Sequence, residues 1–140
     1  MNVTEKQRQL VAKFAIIEDP HERLAALMSR ARKWPAPEPA HLIDANRVHG
    51  CQSRVWLTAE FDGAACHWRM QSDSAMVKAL VGLLCKLYEG AAPADVLHTE
   101  PTLFESLGIV RMVSPTRLAG LAAVHGRMKH FAAAFAAKNG

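Results

Sequence analysis

Val55-Trp56-Leu57-Thr58-Ala59-Glu60-Phe61-Asp62-Gly63-Ala64-Ala65-Cys66-His67-Trp68-Arg69-Met70-Gln71 decides the fold. From Arg54 to Phe61, the apolar Val55, Leu57, Ala59 and Phe61 alternate with Trp56, Thr58 and Glu60, the period of a half-buried strand. Asp62-Gly63 is a strong two-residue hairpin turn, since both positions tolerate positive φ, and Ala64 to Gln71 returns antiparallel. A two-residue loop pairs Ala59 with Cys66, Leu57 with Trp68 and Val55 with Met70, all on one face. The opposite, wetter face pairs Thr58 with His67 and Trp56 with Arg69, the latter a potential cation–π contact.

Helical signals surround this hairpin. Thr4 and Gln7 have capping-box spacing, and Leu10, Val11, Phe14 and Ile17 follow at helical intervals. Asp19-Pro20-His21-Glu22 starts a second helix with Leu24, Leu27, Met28 and Ala31 on one face and Arg30, Arg32 and Lys33 in its last turn. Trp34-Pro35-Ala36-Pro37-Glu38-Pro39 is an extended connector, because alternate prolines remove donors. After the hairpin, Ser72 and Asp73 read as helix caps before Val77, Leu80, Val81, Leu84 and Cys85, with Gly90 as the stop. Pro93 and Pro101 open short turns, the second carrying Leu103, Phe104 and Leu107 up to Gly108, and Ser114-Pro115 starts a long helix through Leu118, Leu121, His125 and Met128. The expected fold class is α+β: a single domain over residues 1–140, with a small antiparallel sheet packed against helices. An alanine-rich helical tail covers residues 129–140.

The chain's 140 residues, half of them apolar and 21% charged, suit one globular domain and exclude wholesale disorder. The net charge of +4 is spread along the chain, and one Tyr and five Phe give little stacking platform, so composition does not favour nucleic-acid binding. The polar N-terminus lacks the apolar stretch of an export signal, and apolar runs such as 79–85 and 131–137 fall short of the ~18 residues of a membrane span. The expectation is a cytoplasmic chain that binds no membrane.

Cys51, Cys66 and Cys85 lie too far apart for a Cys-x-x-Cys clamp, and their odd number points to free thiols in a reducing compartment. Cys66 falls on the buried face of the second strand and Cys85 on an apolar helix face, so both read as packing residues. Cys51 stands apart, between Gly50 and Gln52, where a loop enters the first strand. Its odd parity with Ser53 and Val55 aims it at the buried face, sheltered in an apolar pocket from which it would swing out. His49 and Arg47 lie nearby in sequence, and a cation at the sulfur would lower the thiol pKa.

The run Asn46-Arg47-Val48-His49-Gly50-Cys51-Gln52-Ser53-Arg54-Val55-Trp56-Leu57 resembles the signature of the SufE family, sulfur acceptors of iron–sulfur cluster assembly. Ser72-Asp73-Ser74-Ala75, Leu107-Gly108, Ser114-Pro115-Thr116-Arg117 and Gly120-Leu121 resemble the family's later blocks in the same order. His49 departs from the small residue or proline usual there.

The resemblance runs from about residue 10 to about residue 128, which it marks as the domain core, and it implies an IscU-like fold. It also implies a chain that takes persulfide sulfur from a pyridoxal-phosphate cysteine desulfurase onto Cys51, stimulates that enzyme and relays the sulfur to a cluster scaffold. Gly50, Gln52, His49, Asp73 and Arg117 are the supporting residues; Arg117 either stabilises a thiolate or docks a partner, or is merely a helix-start arginine. The implied partners are a SufS-type desulfurase or its Csd-type relative and a SufBCD-type scaffold, with Gln52 and Ser53 leaning towards the Suf branch. No cofactor or metal on this chain, no independent turnover, and a monomer or homodimer complete the expectation. The alternative is an IscU-like metal or cluster scaffold with cysteine ligands, which the core positions of Cys66 and Cys85 disfavour. A cysteine hydrolase ranks last, for want of an oxyanion hole or a known triad order.

Overall fold

The computed structural model describes residues 2–139, apart from the side chains of Ala31 and Asn139. Six α-helices, α1 (Val3–Ala15), α2 (Pro20–Ala31), α3 (Ala75–Tyr88), α4 (Pro93–His98), α5 (Leu103–Ser106) and α6 (Pro115–Asn139), surround one hairpin, β1 (Val55–Phe61) and β2 (Cys66–Ser72). This is the expected α+β architecture.

The hairpin keeps the expected faces but not the expected register. Val55 pairs with Ser72, Leu57 with Met70, Ala59 with Trp68 and Phe61 with Cys66. Each partner is displaced by two residues, because the loop holds residues 62–65 rather than Asp62-Gly63 alone. The Asp62 side chain sets that length: its Oδ1 accepts from the backbone N–H groups of Ala64 (2.9 Å) and Ala65 (2.7 Å). A slip of two preserves the side-chain period, so Val55, Leu57, Cys66, Trp68 and Met70 are all buried as expected. On the outer face Trp56 opposes Gln71 and Arg69 opposes Thr58, so the expected Trp56–Arg69 contact does not form. The guanidinium over Trp56 is that of Arg54, 5.8 Å from the ring centroid.

Two strands alone are marginal in water. Here α3 packs on β2 and α6 on β1, and both sheet edges are covered. The proline connector runs along β2, with the Pro35 carbonyl accepting from Met70 N–H at 3.1 Å and Trp34 Nε1 donating to the Trp68 carbonyl at 3.2 Å. Along β1, Arg47 bridges to Trp56 and Val48 N–H donates to the Val55 carbonyl at 2.8 Å.

Helix ends follow local chemistry. Asn2, not Thr4, caps α1, accepting from Glu5 N–H. Gln7 instead reaches across the core, donating to the Glu100 carbonyl and accepting from Leu103 N–H. Asp19 caps α2 with Pro20 in its first turn, and Leu24 and Leu27 are buried; the expected contribution of Ala31 to that face lies outside the described side chains. Ser74 rather than Asp73 caps α3, accepting from Val77 N–H. Cys66 and Cys85 are fully buried, and burial is the largest cause raising both thiol pKa values, that of Cys66 to about 11. Residues 129–139 continue α6 without a break; Ala132 is buried, and the Phe135 ring stacks on Phe61 with centroids 5.1 Å apart.

Candidate functional site

Residues 49–54, Cys51 among them, form a loop closed at its base by the Val48–Val55 pairing, where β1 begins. Gly50 takes φ +93°, which few L-residues adopt, and a Cβ there would come within 3.3 Å of the Ala123 Cβ on α6. The turn folds Cys51 back on the start of α6. Its Sγ donates to the Gly120 carbonyl at 3.4 Å, and a Cβ at Gly120 would approach the sulfur to 3.3 Å. Glycine in the interior of a long helix therefore provides the seat for the thiol.

A pocket of about 70 Å3 adjoins the sulfur. Val77, Leu80 and Val81 of α3 form its apolar wall, with Thr116 and Arg117 at the start of α6 and Gln52 and Ser53 from the loop. Cys51 is half-buried, and burial alone pushes its thiol pKa up. The expected cation at the sulfur is not in place. Arg47 turns to Asp44 at 4.0 Å, and exposed His49 makes no hydrogen bond or ion pair among the described residues. Arg117 reaches the same pocket with its side chain exposed, while its backbone N–H is held by Ser114 Oγ. In this conformation partial burial favours the neutral form of the Cys51 thiol.

Asp73 holds the far end of the loop instead of capping α3. Its carboxylate accepts from Arg54 N–H and Arg54 Nε, each at 3.0 Å, and that Nε–H bond leads the causes depressing its pKa. Gly120, Arg54 and the α3 wall are parts of the site that sequence reasoning missed. The sequence signal for Gly120 was weak: a glycine inside a helix costs about 1 kcal/mol against alanine and so hints at a packing reason, but Gly126 in the same helix meets nothing within 4 Å. Among the described residues, no three His, Cys, Asp or Glu side chains converge as metal ligands.

Residues 8–132 match the SufE family, described as the Fe-S metabolism associated domain. The chain belongs to the SufE family. It is 29% identical to an uncharacterised SufE-like protein of Synechocystis over 91% of this chain and 80% of that one. It is also 29% identical to SufE-like protein 1, chloroplastic/mitochondrial, of Arabidopsis thaliana, over 83% of this chain but 32% of the longer plant protein. A chloroplastic quinolinate synthase of rice is 33% identical over 71% of this chain, which corresponds to only 14% of the enzyme. The solution structure of a hypothetical protein from Thermus thermophilus superimposes with a TM-score of 0.79 at 28% identity, covering 94% of this chain and 96% of that one. The SufE fold is thus the architecture described above, and its family description ties the chain to iron–sulfur metabolism. No helix among the described residues is long and apolar enough to cross a membrane.

Proposed function

We propose that this SufE-family chain is a sulfur carrier in which Cys51 accepts sulfane sulfur from a pyridoxal-phosphate cysteine desulfurase and passes it to a cluster-assembly scaffold. A SufS-type enzyme as donor and a SufBCD-type complex as recipient are the partners in this reading, with the reducing cytoplasm as the compartment. In the transfer, Cys51 gives up its proton to solvent and its thiolate attacks the terminal sulfur of the donor's persulfide. A bond forms between Cys51 Sγ and that sulfur, the donor's S–S bond breaks, and its electron pair leaves with the donor thiolate. The exchange is redox-neutral and needs no cofactor on this chain. Clearing the donor cysteine frees it for another turnover, which is how the carrier would stimulate the desulfurase. Delivery repeats the exchange, with a scaffold thiolate attacking and Cys51 leaving.

The observation that carries this reading is the room beside the Cys51 sulfur. A void needs about 10–15 Å3 of probe-occupied volume to hold a water, and the adjoining pocket offers about 70 Å3, enough for one more sulfur atom. The apolar wall of Val77, Leu80 and Val81 would keep that sulfur from water and from over-oxidation. The raised thiol pKa fits a carrier activated on docking: burial lowers the thiolate fraction at rest, and leaving the Gly120 seat would relieve that burial.

The test is intact mass spectrometry after incubation with a SufS-type desulfurase and free cysteine. Wild type should gain the mass of one sulfur atom and Cys51→Ser none. No addition on wild type, or equal addition on Cys51→Ser, would overturn the proposal.

A further inference from the structure

A second concavity opens between α1, α2 and α3. Its floor is apolar, made by Phe14, Leu27 and Leu83, all buried, and it encloses about 130 Å3. Arg30, Lys33 and Lys86 rim it, with half-buried Trp34 as one wall. The Arg30 guanidinium stands over the Phe14 ring, 5.1 Å from its centroid. Among the described residues Lys13, Arg30, Lys33 and Lys86 form no ion pair with a carboxylate. The crowding is felt by Lys86, whose pKa is depressed first by burial and then by the like charges of Lys13, Arg30 and Lys6. Lys6 turns towards the end of α3, its Nζ donating to the Glu89 carbonyl at 2.6 Å.

A hydrophobic slot ringed by unneutralised cations is complementary to an acidic chain carrying one apolar anchor. The size agrees. An apolar cavity of about 150 Å3 accepts benzene, so the 130 Å3 here suits a single leucine or phenylalanine side chain. A lipid surface takes up a protruding apolar face rather than filling a recessed floor, and a nucleic acid would need successive aromatic platforms. The position on α3 matters too. At about 100° per residue, Gly82, Leu83 and Lys86 lie on the side of α3 opposite Val77, Leu80 and Val81, which wall the Cys51 pocket.

We propose that this basic slot docks an acidic segment of a partner protein, anchored by one leucine or phenylalanine side chain, on a face that leaves Cys51 free. The chain would then hold this partner while the pocket beside Cys51 stays accessible. The proposal is independent of what Cys51 does.

The probe is a fluorescein-labelled peptide of glutamates and aspartates flanking one phenylalanine, titrated at about 50 mM salt, where screening is weak. Saturable binding is expected, with amide shifts at Phe14, Leu83 and Lys86 and at the Trp34 indole. Charge reversal by R30E together with K33E, both exposed positions, should weaken binding about tenfold or more with an unchanged circular dichroism spectrum. A peptide with alanine in place of phenylalanine should bind about fivefold more weakly, and Cys51→Ser should bind as wild type does. Absence of binding, equal binding by the reversed variant, or indifference to the phenylalanine would each overturn the proposal. Tighter binding of phosphatidylglycerol vesicles or of a single-stranded oligonucleotide at the same residues would overturn it in favour of that occupant.

Discussion

The Cys51 sulfur sits 3.4 Å from the carbonyl oxygen of Gly120, at a point where α6 has no side chain to stand in its way. This pairing makes the resting state of the thiol a property of a helix 69 residues further along the chain.

Gly120→Ala should displace the thiol. The added methyl would meet Sγ at 3.3 Å and the Cys51 Cα and Cβ at 3.6 Å, so the loop must give by a few tenths of an ångström. Iodoacetamide should then label Cys51 about threefold faster or more, the sulfur having lost part of its shelter. Global stability should change by less than about 1 kcal/mol, since alanine's helix propensity offsets the crowding. Unchanged labelling would mean that the Gly120 seat does not govern access.

Gly50→Ala should be costlier. Its φ of +93° is strained for any other residue, and the new Cβ would press on Ala123 at 3.3 Å. A loss of about 1–3 kcal/mol is expected in urea unfolding, together with slower sulfur acceptance because Cys51 is mispositioned.

The three thiols should separate in function. Cys66→Ser and Cys85→Ser bury a hydroxyl in an apolar site and should each cost about 1–3 kcal/mol, both cysteines being fully buried. Neither should abolish sulfur addition in intact-mass experiments, whereas Cys51→Ser should abolish it without a comparable loss of stability.

Alkylation of Cys51 should show a shifted pH profile. Burial raises its pKa, so the rate should inflect above the value of about 8.5 typical of a free cysteine. Adding the desulfurase should return the inflection towards that value if docking draws the thiol out. A stopped-flow alkylation series across pH, with and without the partner, reads both limbs.

His67 should give stability its own pH dependence. Its Nε2 lies 2.9 Å from Asp62 Oδ2 and its Nδ1 2.6 Å from Glu89 Oε2, and only an imidazolium can donate to both. Those two side-chain bonds, Asp62's first, raise its pKa, so the folded state holds the proton more tightly than the unfolded chain. The contribution is fully present below the unfolded value of about 6.5 and is lost as pH rises through the higher folded value. With the imidazole 41% exposed, screening limits it to about 1 kcal/mol or less. Urea midpoints measured across that window should fall for wild type and stay flatter for His67→Gln.

What the sequence made legible followed from periodicity. The alternation from Val55 to Phe61 and from Cys66 to Met70 assigned the strand faces, hence the buried Cys66. Cys51 does turn inward, but through the Gly50 turn and the bends at Gln52 and Ser53 rather than the extended approach that parity assumed. Register was not legible, because the choice between a two-residue turn and a four-residue loop rests on how Asp62 Oδ1 meets the N–H groups of Ala64 and Ala65. The charges around Cys51 misled for a related reason. His49 and Arg47 are near in sequence, but Arg47 pairs with Asp44 and His49 is exposed, and desolvation rather than a cation sets the direction of the thiol pKa. Asp73 had two chemically reasonable roles, and only the placement of Arg54 decides between capping and holding the loop. The resemblance to SufE, carried by the residues from Asn46 to Leu57, named the cysteine; the Gly120 seat required the path of α6.

The Val48–Val55 hydrogen bond limits how far the Cys51 side chain can reach. Cys51 lies three residues from that clamp on its shorter side, and an extended chain spans at most about 3.3–3.6 Å per residue. The tether therefore measures only about 10 Å, too short for an arm that sweeps between distant active sites. In the proposed relay, a donor would have to bring its persulfide to within that radius of the loop, and a recipient would have to approach the same small arc afterwards. Delivery to one and loading from the other would then be successive visits to a single berth, with the carrier changing partners rather than reaching between them.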